Sequence, residues 1–350
     1  MRMSAHHHQT LQQYREVSTT RPLTFIAPAR PTGISVIGLD QVGIVAVACL
    51  AHLGFPMVGV DIRSSRNTDL LDGNAPVHEA RLERLLLDGV REGRIQATQN
   101  LITAVTETDL TVLMSTAEDA ETGSGADVGA PAKLARTSRA IGQALALKQG
   151  YHVVVISGDV PPGSLRELVR PEIERASGKR LGADFGLCCM PRFGRDISTV
   201  ARFFSRSRTV VGASDARACA VVAGIMQLID ADAIYTTIEA AEMAQRADQL
   251  WQVTRMAFDA ELARLCQAVG VEAGEVADIF RSTVRIDAPS SELGPSILRA
   301  RSANSRELRD MVEIGARRGI ELPLLESLAS SAIWPGPTRR GGWLAGRGGV

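Results

Sequence analysis

From Ile34 onward, short and nearly all-apolar runs alternate with segments of helix length, and this alternation leaves few architectures open. Ile34–Gly38, Met57–Ile62, Leu110–Ser115, His152–Ile156 and Asp184–Cys188 read as strands, with Val42–Leu53, Glu79–Glu92, Ala130–Lys148 and Gly163–Ala176 between them as helices. Strands without polar alternation are buried on both faces, which an α/β chain achieves with a parallel sheet covered by helices on each side. The predicted fold is therefore α/β, a doubly wound parallel sheet, followed after a last strand-like run at Arg208–Gly212 by an all-helical domain. There Ile238–Val269 is the longest helix, with apolar Met243, Leu250, Val253, Ala257 and Leu265. A rod of that length, roughly 45 Å, joins two domains or packs on a second subunit. Shorter helices are expected at Ala273–Phe280, Ser305–Arg318 and Leu322–Ile333. The expected division is a disordered lead-in at 1–31, a sheet domain at 32–213, a helical domain at 214–333 and a disordered Gly/Arg-rich tail at 334–350.

Composition removes several classes of function. Lys and Arg number 39 against 39 Asp and Glu, so no positive excess invites a nucleic acid. No apolar run is long enough to span a membrane, and the polar, basic start is unlike an export signal. The 5 cysteines are odd in number and scattered in apolar text, as suits a reducing cytoplasm. No metal-ligand spacing occurs, and His6-His7-His8 reads as an untidy terminus. Aromatic residues, at 4%, are too few for a stacking platform.

The first strand runs into Gly38-Leu39-Asp40-Gln41-Val42-Gly43 and an apolar helix, and the second ends at Val60-Asp61. This is the setting of a dinucleotide fingerprint: a tight turn, a diphosphate at a helix N-terminus, and an acid about twenty residues on for the ribose. A dinucleotide is the expected ligand, with Gly38, Asp40, Gly43, Asp61 and Arg66 as candidate binding positions. The middle glycine, which lets backbone approach the diphosphate, is here Asp40. At about 4 Å and an effective dielectric of about 20, like charges repel by roughly 4 kcal/mol. An Asp at a helix start also caps the N–H groups that a phosphate needs. Both intact nucleotide binding and a Rossmann-type domain with weakened or lost binding stay open.

Further segments share one order with a known family: Gly73–Leu82, Val160-Pro161-Pro162-Gly163-Ser164, Pro191–Asp196, Ala241-Glu242-Met243 with Trp251, and Ala268–Val271. From about Gly33 to Leu328 the chain resembles the UDP-glucose/GDP-mannose 6-dehydrogenase family, and its bacterial GDP-mannose branch in particular. That resemblance implies oxidation of a sugar C6 alcohol to a carboxylate by two NAD-dependent hydride transfers, through a thiohemiacetal and thioester on a cysteine. It also implies a nucleotide-sugar ligand, a homodimer through helix 238–269, and a place in exopolysaccharide synthesis, alginate-like or capsular.

The same resemblance locates departures. The family's loop P-G-F-G-F-G-G-S-C-L-P-K-D falls on Pro295–Glu307, with Ala303 at the cysteine and Glu307 at the final Asp. Four of its glycines become Ser296, Leu298, Ala300 and Arg301. In P-E-F-L-R-E the first Glu is matched by Arg192 and the second by Asp196. The Thr of K-S-T-x-P-x-G-T is Asp159, and the Lys and Asn one helical turn apart are Gln245 and Gln249. A methyl group captures no aldehyde, and a guanidinium is no base. Cys189, abutting the Met190–Asp196 stretch, is the substitute thiol to weigh. Family chains continue into a second nucleotide-binding domain where this text turns Gly/Arg-rich. The expectation is a truncated, catalytically lapsed homologue. A residually active nucleotide-sugar dehydrogenase is the alternative, and a hydroxyacid-type dehydrogenase, which needs the Lys and Asn, is a third reading.

Overall fold

A computed structural model describes residues 31–76, 78–115, 130–192, 199–205, 209–230, 232–283 and 308–330. The chain divides into two compact units, Met1–Gln245 and Arg246–Val350, and the divide falls inside the long helix.

In the first unit, β1 (Ile34–Ile37) leads into α1 (Gln41–His52), and β2 (Met57–Val60) into α2 (Ser64–Asp72) and α3 (Ala80–Arg91). Next come β3 (Ile95–Thr98), α4 (Leu101–Glu107), β4 (Leu110–Ser115) and α5 (Ala130–Leu147). Strand β5 (His152–Gly158) is followed by a π-helical turn, Leu165–Val169, which continues as α6 (Arg170–Ser177). Then β6 (Phe185–Met190), α7 (Val200–Phe204), β7 (Val210–Ala213), α8 (Ala216–Met226) and β8 (Ile234–Thr237) lead to α9 (Ile238–Val269).

Among the described residues the strands form one 8-stranded sheet, ordered β3-β2-β1-β4-β5-β6-β7-β8. Ile34 of β1 pairs in parallel with Met57 of β2 and with Leu110 of β4. Chain order reverses at β1, so the carboxyl ends of β1 and β4 open on the crevice where such sheets take ligands. The parallel expectation needs one correction: β6 and β7 are antiparallel, with Cys188 opposite Ala213. Two further strands, β3 and β8, lie at the sheet's edges, and β8 extends the α/β pattern beyond Gly212.

Period-two alternation distributes the core. Val153 and Val155 pack on one face with Ile34, Val36 and α1, whereas Val154 and Ile156 face Ile141, Leu145 and Ile173 on the other. Cys188 and Cys189 are split the same way, so the vicinal thiols belong to opposite faces. Helix α1 is apolar nearly all round because it is covered on most sides, Gly43 to Ala51 being buried.

The second unit contains the remainder of α9, α10 (Ala273–Thr283), α11 (308–317) and α12 (Pro323–Ser330). Its described core is small, Val253 and Leu308 packed by Leu250, Met256, Leu325, Leu328 and Ala329. No helix of the described residues is long and apolar enough to cross a membrane.

Candidate functional site

The β1–α1 turn is built as the fingerprint requires. Gly38 has φ +99°, a conformation that side-chain-bearing residues rarely adopt, and its N–H donates to Val60 O at 2.9 Å. At Gly43 a Cβ would collide with the Gly38 carbonyl oxygen, so this position must be glycine for helix and strand to close. Asp40 is the N-cap of α1, and its Oδ1 accepts from Gly43 N at 2.7 Å. The donor at the helix start is thus already occupied by the chain's own carboxylate.

Asp61, at the end of β2, is buried and accepts three hydrogen bonds: from Leu39 N at 3.1 Å, Arg63 N at 3.0 Å and Arg66 Nη1 at 3.1 Å. Ile62 follows it with 87% of its surface exposed, its carbonyl held by Gln99 Nε2 at 3.0 Å. A bare apolar side chain beside a strand-end acid suits a flat purine ring. The sequence reading took Ile62 for core; the signal it missed is that Asp61, its neighbour of opposite parity, turns inward.

Arg192, two residues past β6, is partly buried. Burial lowers its guanidinium pKa, while the charges of Asp40 and Asp159 act to raise it. The structure therefore brings together three sequence-predicted positions, Asp40, Asp159 and Arg192, from the carboxyl ends of β1, β5 and β6. Gly158, just before Asp159, has φ +139° and turns the chain out of β5.

A residue known only as a sequence landmark holds the next turn. Glu242 on α9 has no exposed surface, and its carboxylate accepts from Gly163 N at 2.6 Å and Leu165 N at 3.0 Å. Gly163 has φ +89°, so Glu242 clasps the start of the π-helical turn. Burial raises its pKa, partly opposed by the two backbone donors. Gln245, one turn on, is buried with its Oε1 lacking a hydrogen-bond partner. In the second unit, Gln249 Oε1 accepts from Arg246 Nη1 at 2.7 Å, and Arg246 is itself buried. Asp196, Ala303 and Glu307 lie outside the described residues.

All cysteines are buried and free. Burial, with a smaller contribution from Glu242, pushes the Cys189 thiol up to about 12, and burial also raises Cys188 and Cys219. A thiol so placed is neither ionised nor reachable at neutral pH, which removes Cys189 as a substitute nucleophile. Among the described residues no group of three or more His, Cys, Asp or Glu could hold a metal ion.

The residues fit NAD unevenly. The adenosine half finds its turn, acid and apolar platform, whereas the diphosphate half meets Asp40. Residues 32–230 match the model of the NAD binding domain of the UDP-glucose/GDP-mannose dehydrogenase family. GDP-mannose 6-dehydrogenase of Pseudomonas aeruginosa is 30% identical over 298 residues, covering 85% of this chain and 67% of that protein. UDP-glucose 6-dehydrogenase of Haloferax volcanii is 31% identical over 299 residues, with 84% of this chain and 68% of the relative covered. A crystal structure of a ternary complex of the Pseudomonas aeruginosa GDP-mannose dehydrogenase superposes with a TM-score of 0.64 at 29% identity, over 84% of this chain and 67% of that one.

Proposed function

The chain belongs to the UDP-glucose/GDP-mannose dehydrogenase family, and from that premise we propose that it is a catalytically lapsed member which keeps the NAD-type body without the oxidation chemistry. One observation carries the reading: every cysteine is buried, so no thiol stands ready to capture an aldehyde. By resemblance the family's thiol position holds Ala303, and its first acid is replaced by Arg192, whose charge is committed to Asp40 and Asp159. Gln245 and Gln249 in place of Lys and Asn leave no ammonium to balance a forming alkoxide. Asp40 weakens the hold on NAD through its cap and its charge.

The ligand class is a nucleotide sugar, the compartment the cytoplasm, and the setting exopolysaccharide synthesis. Homodimerisation through α9 fits its exposed stripe: Trp251, Phe258 and Leu265 recur every seven residues and are 54%, 50% and 63% exposed. The test is NADH absorbance at 340 nm with GDP-mannose or UDP-glucose. We expect none, and clear turnover would defeat the proposal.

A further inference from the structure

We propose that His152, Thr111, Ser35 and Thr108 form a one-way hydrogen-bond relay that holds His152 as its Nε2–H tautomer and locks β5, β4, β1 and the end of α4 into a single proton order. This conformational device lies at the amino ends of the strands, away from the crevice, and stands whether or not the chain oxidises a sugar.

Side-chain alternation puts the relay on a face that is otherwise apolar. His152 shares its side of β5 with Val154 and Ile156, Thr111 shares its side of β4 with Leu113, and Ser35 pairs in register with Thr111. Each of the four is at most 2% exposed, so water does not compete for their hydrogens. Thr111 Oγ1 lies 2.8 Å from His152 Nε2 and 2.7 Å from Ser35 Oγ. Thr108 Oγ1 lies 3.1 Å from Ser35 Oγ and 2.8 Å from the Ala104 carbonyl oxygen.

A hydroxyl has one hydrogen, so the chain fills in one of two directions. In the first, Nε2–H donates to Thr111, Thr111 to Ser35, Ser35 to Thr108, and Thr108 to the Ala104 carbonyl. In the second every bond between side chains reverses, and the ring's hydrogen moves to Nδ1. Two observations select the first. The shorter bond of Thr108 goes to Ala104, where the first direction ends. His152 Nδ1 is buried with no hydrogen-bond partner, and a bare lone pair is tolerated there better than an orphaned N–H. The Thr108 carbonyl approaches the ring, but it already accepts from Lys148 Nζ at 2.6 Å. Burial first, then the charges of Lys148 and Lys179, keep the ring neutral against the pull of Asp109, so a single ring hydrogen enters the relay.

Nitrogen-15 NMR of the histidine-labelled full chain at pH 7 reads the tautomer. The His152 ring, assigned by its disappearance in His152→Gln, should show a protonated Nε2 and a bare Nδ1, with the other tautomer below about one tenth. Ser35→Ala removes the acceptor that Thr111 uses, so Thr111 should turn its hydrogen onto Nε2. The tautomer ratio should then move at least about tenfold toward Nδ1–H. Thr108→Ser keeps the terminal hydroxyl and should keep the natural tautomer. A purely structural role would change stability without moving the ring nitrogens. A ring protonated at Nδ1 or at both nitrogens in the natural chain would overturn the relay, as would an unchanged ratio in folded Ser35→Ala. If Ser35→Ala does not fold, the nitrogen pattern of the natural chain still decides.

Discussion

Removing the Glu242 carboxylate should loosen the turn after β5 more than any other single side-chain deletion near the strand ends. In Glu242→Ala, Gly163 N and Leu165 N lose bonds of 2.6 Å and 3.0 Å made by a fully buried acceptor. Hydrogen bonds to a charged group contribute about 1.5–3 kcal/mol each, and relief of the buried charge returns part of the total. The expected net loss is about 2–4 kcal/mol. For a unit of this size each kcal/mol moves the midpoint by about 2–4 °C, so Tm should fall roughly 5–15 °C in a thermal circular-dichroism scan. The sign of the pH dependence is set by the raised pKa. The folded chain holds the Glu242 proton more tightly than the unfolded chain, whose ordinary value is 4.5, so its contribution is largest below 4.5 and declines as pH rises through the folded value. The gap between the natural protein and Glu242→Ala should accordingly widen on acidification toward 4.5. A Tm drop below about 2 °C would refute the clasp, and a gap that narrows on acidification would refute the raised pKa, because the two backbone donors would then outweigh burial.

Three further outcomes are expected. A thiol reagent at pH 8 should find almost no reactive cysteine until denaturant is added, since all are buried and Cys189 sits near 12; rapid native labelling would reopen the search for a nucleophile. His152 is buried, bonds Thr111 Oγ1 at 2.8 Å, and is lowered from 6.5 to about 3 by burial and, secondarily, Lys148. Because unfolding then takes up a proton below 6.5, stability should fall by about 2 kcal/mol between pH 7 and 5, and the ring's NMR signal should not titrate above pH 4; a midpoint near 6 would contradict this. Light scattering should give a dimer mass that Trp251→Glu reduces to a monomer, whereas a monomeric natural chain would end the dimer proposal.

The buried strands were legible because each is a local run with no polar interruption. Strands β3, Ile-Gln-Ala-Thr, and β8, Ile-Tyr-Thr-Thr, were not: both are short and lie at the sheet's edges, so their sequences carry little apolar signal. Gly38, Asp40, Gly43 and Asp61 were readable from spacing alone, and the structure puts Asp40 on the cap it suggests. The partners of Asp159 and Arg192 were not, since the cluster draws on three strand ends far apart in sequence. Glu242 clasps a turn some 79 residues away, a pairing that no window along the chain exposes. Gln245 was singled out through the family resemblance, but that its amide oxygen is buried without a partner is a property of packing.

The most direct test of lost chemistry is to incubate the protein at stoichiometric concentration with NAD and GDP-mannose, and separately UDP-glucose, then analyse the sugar nucleotide by mass spectrometry. Unaltered alcohol in both reactions is the predicted result. A sugar oxidised at C6 to the aldehyde or the carboxylate would contradict it.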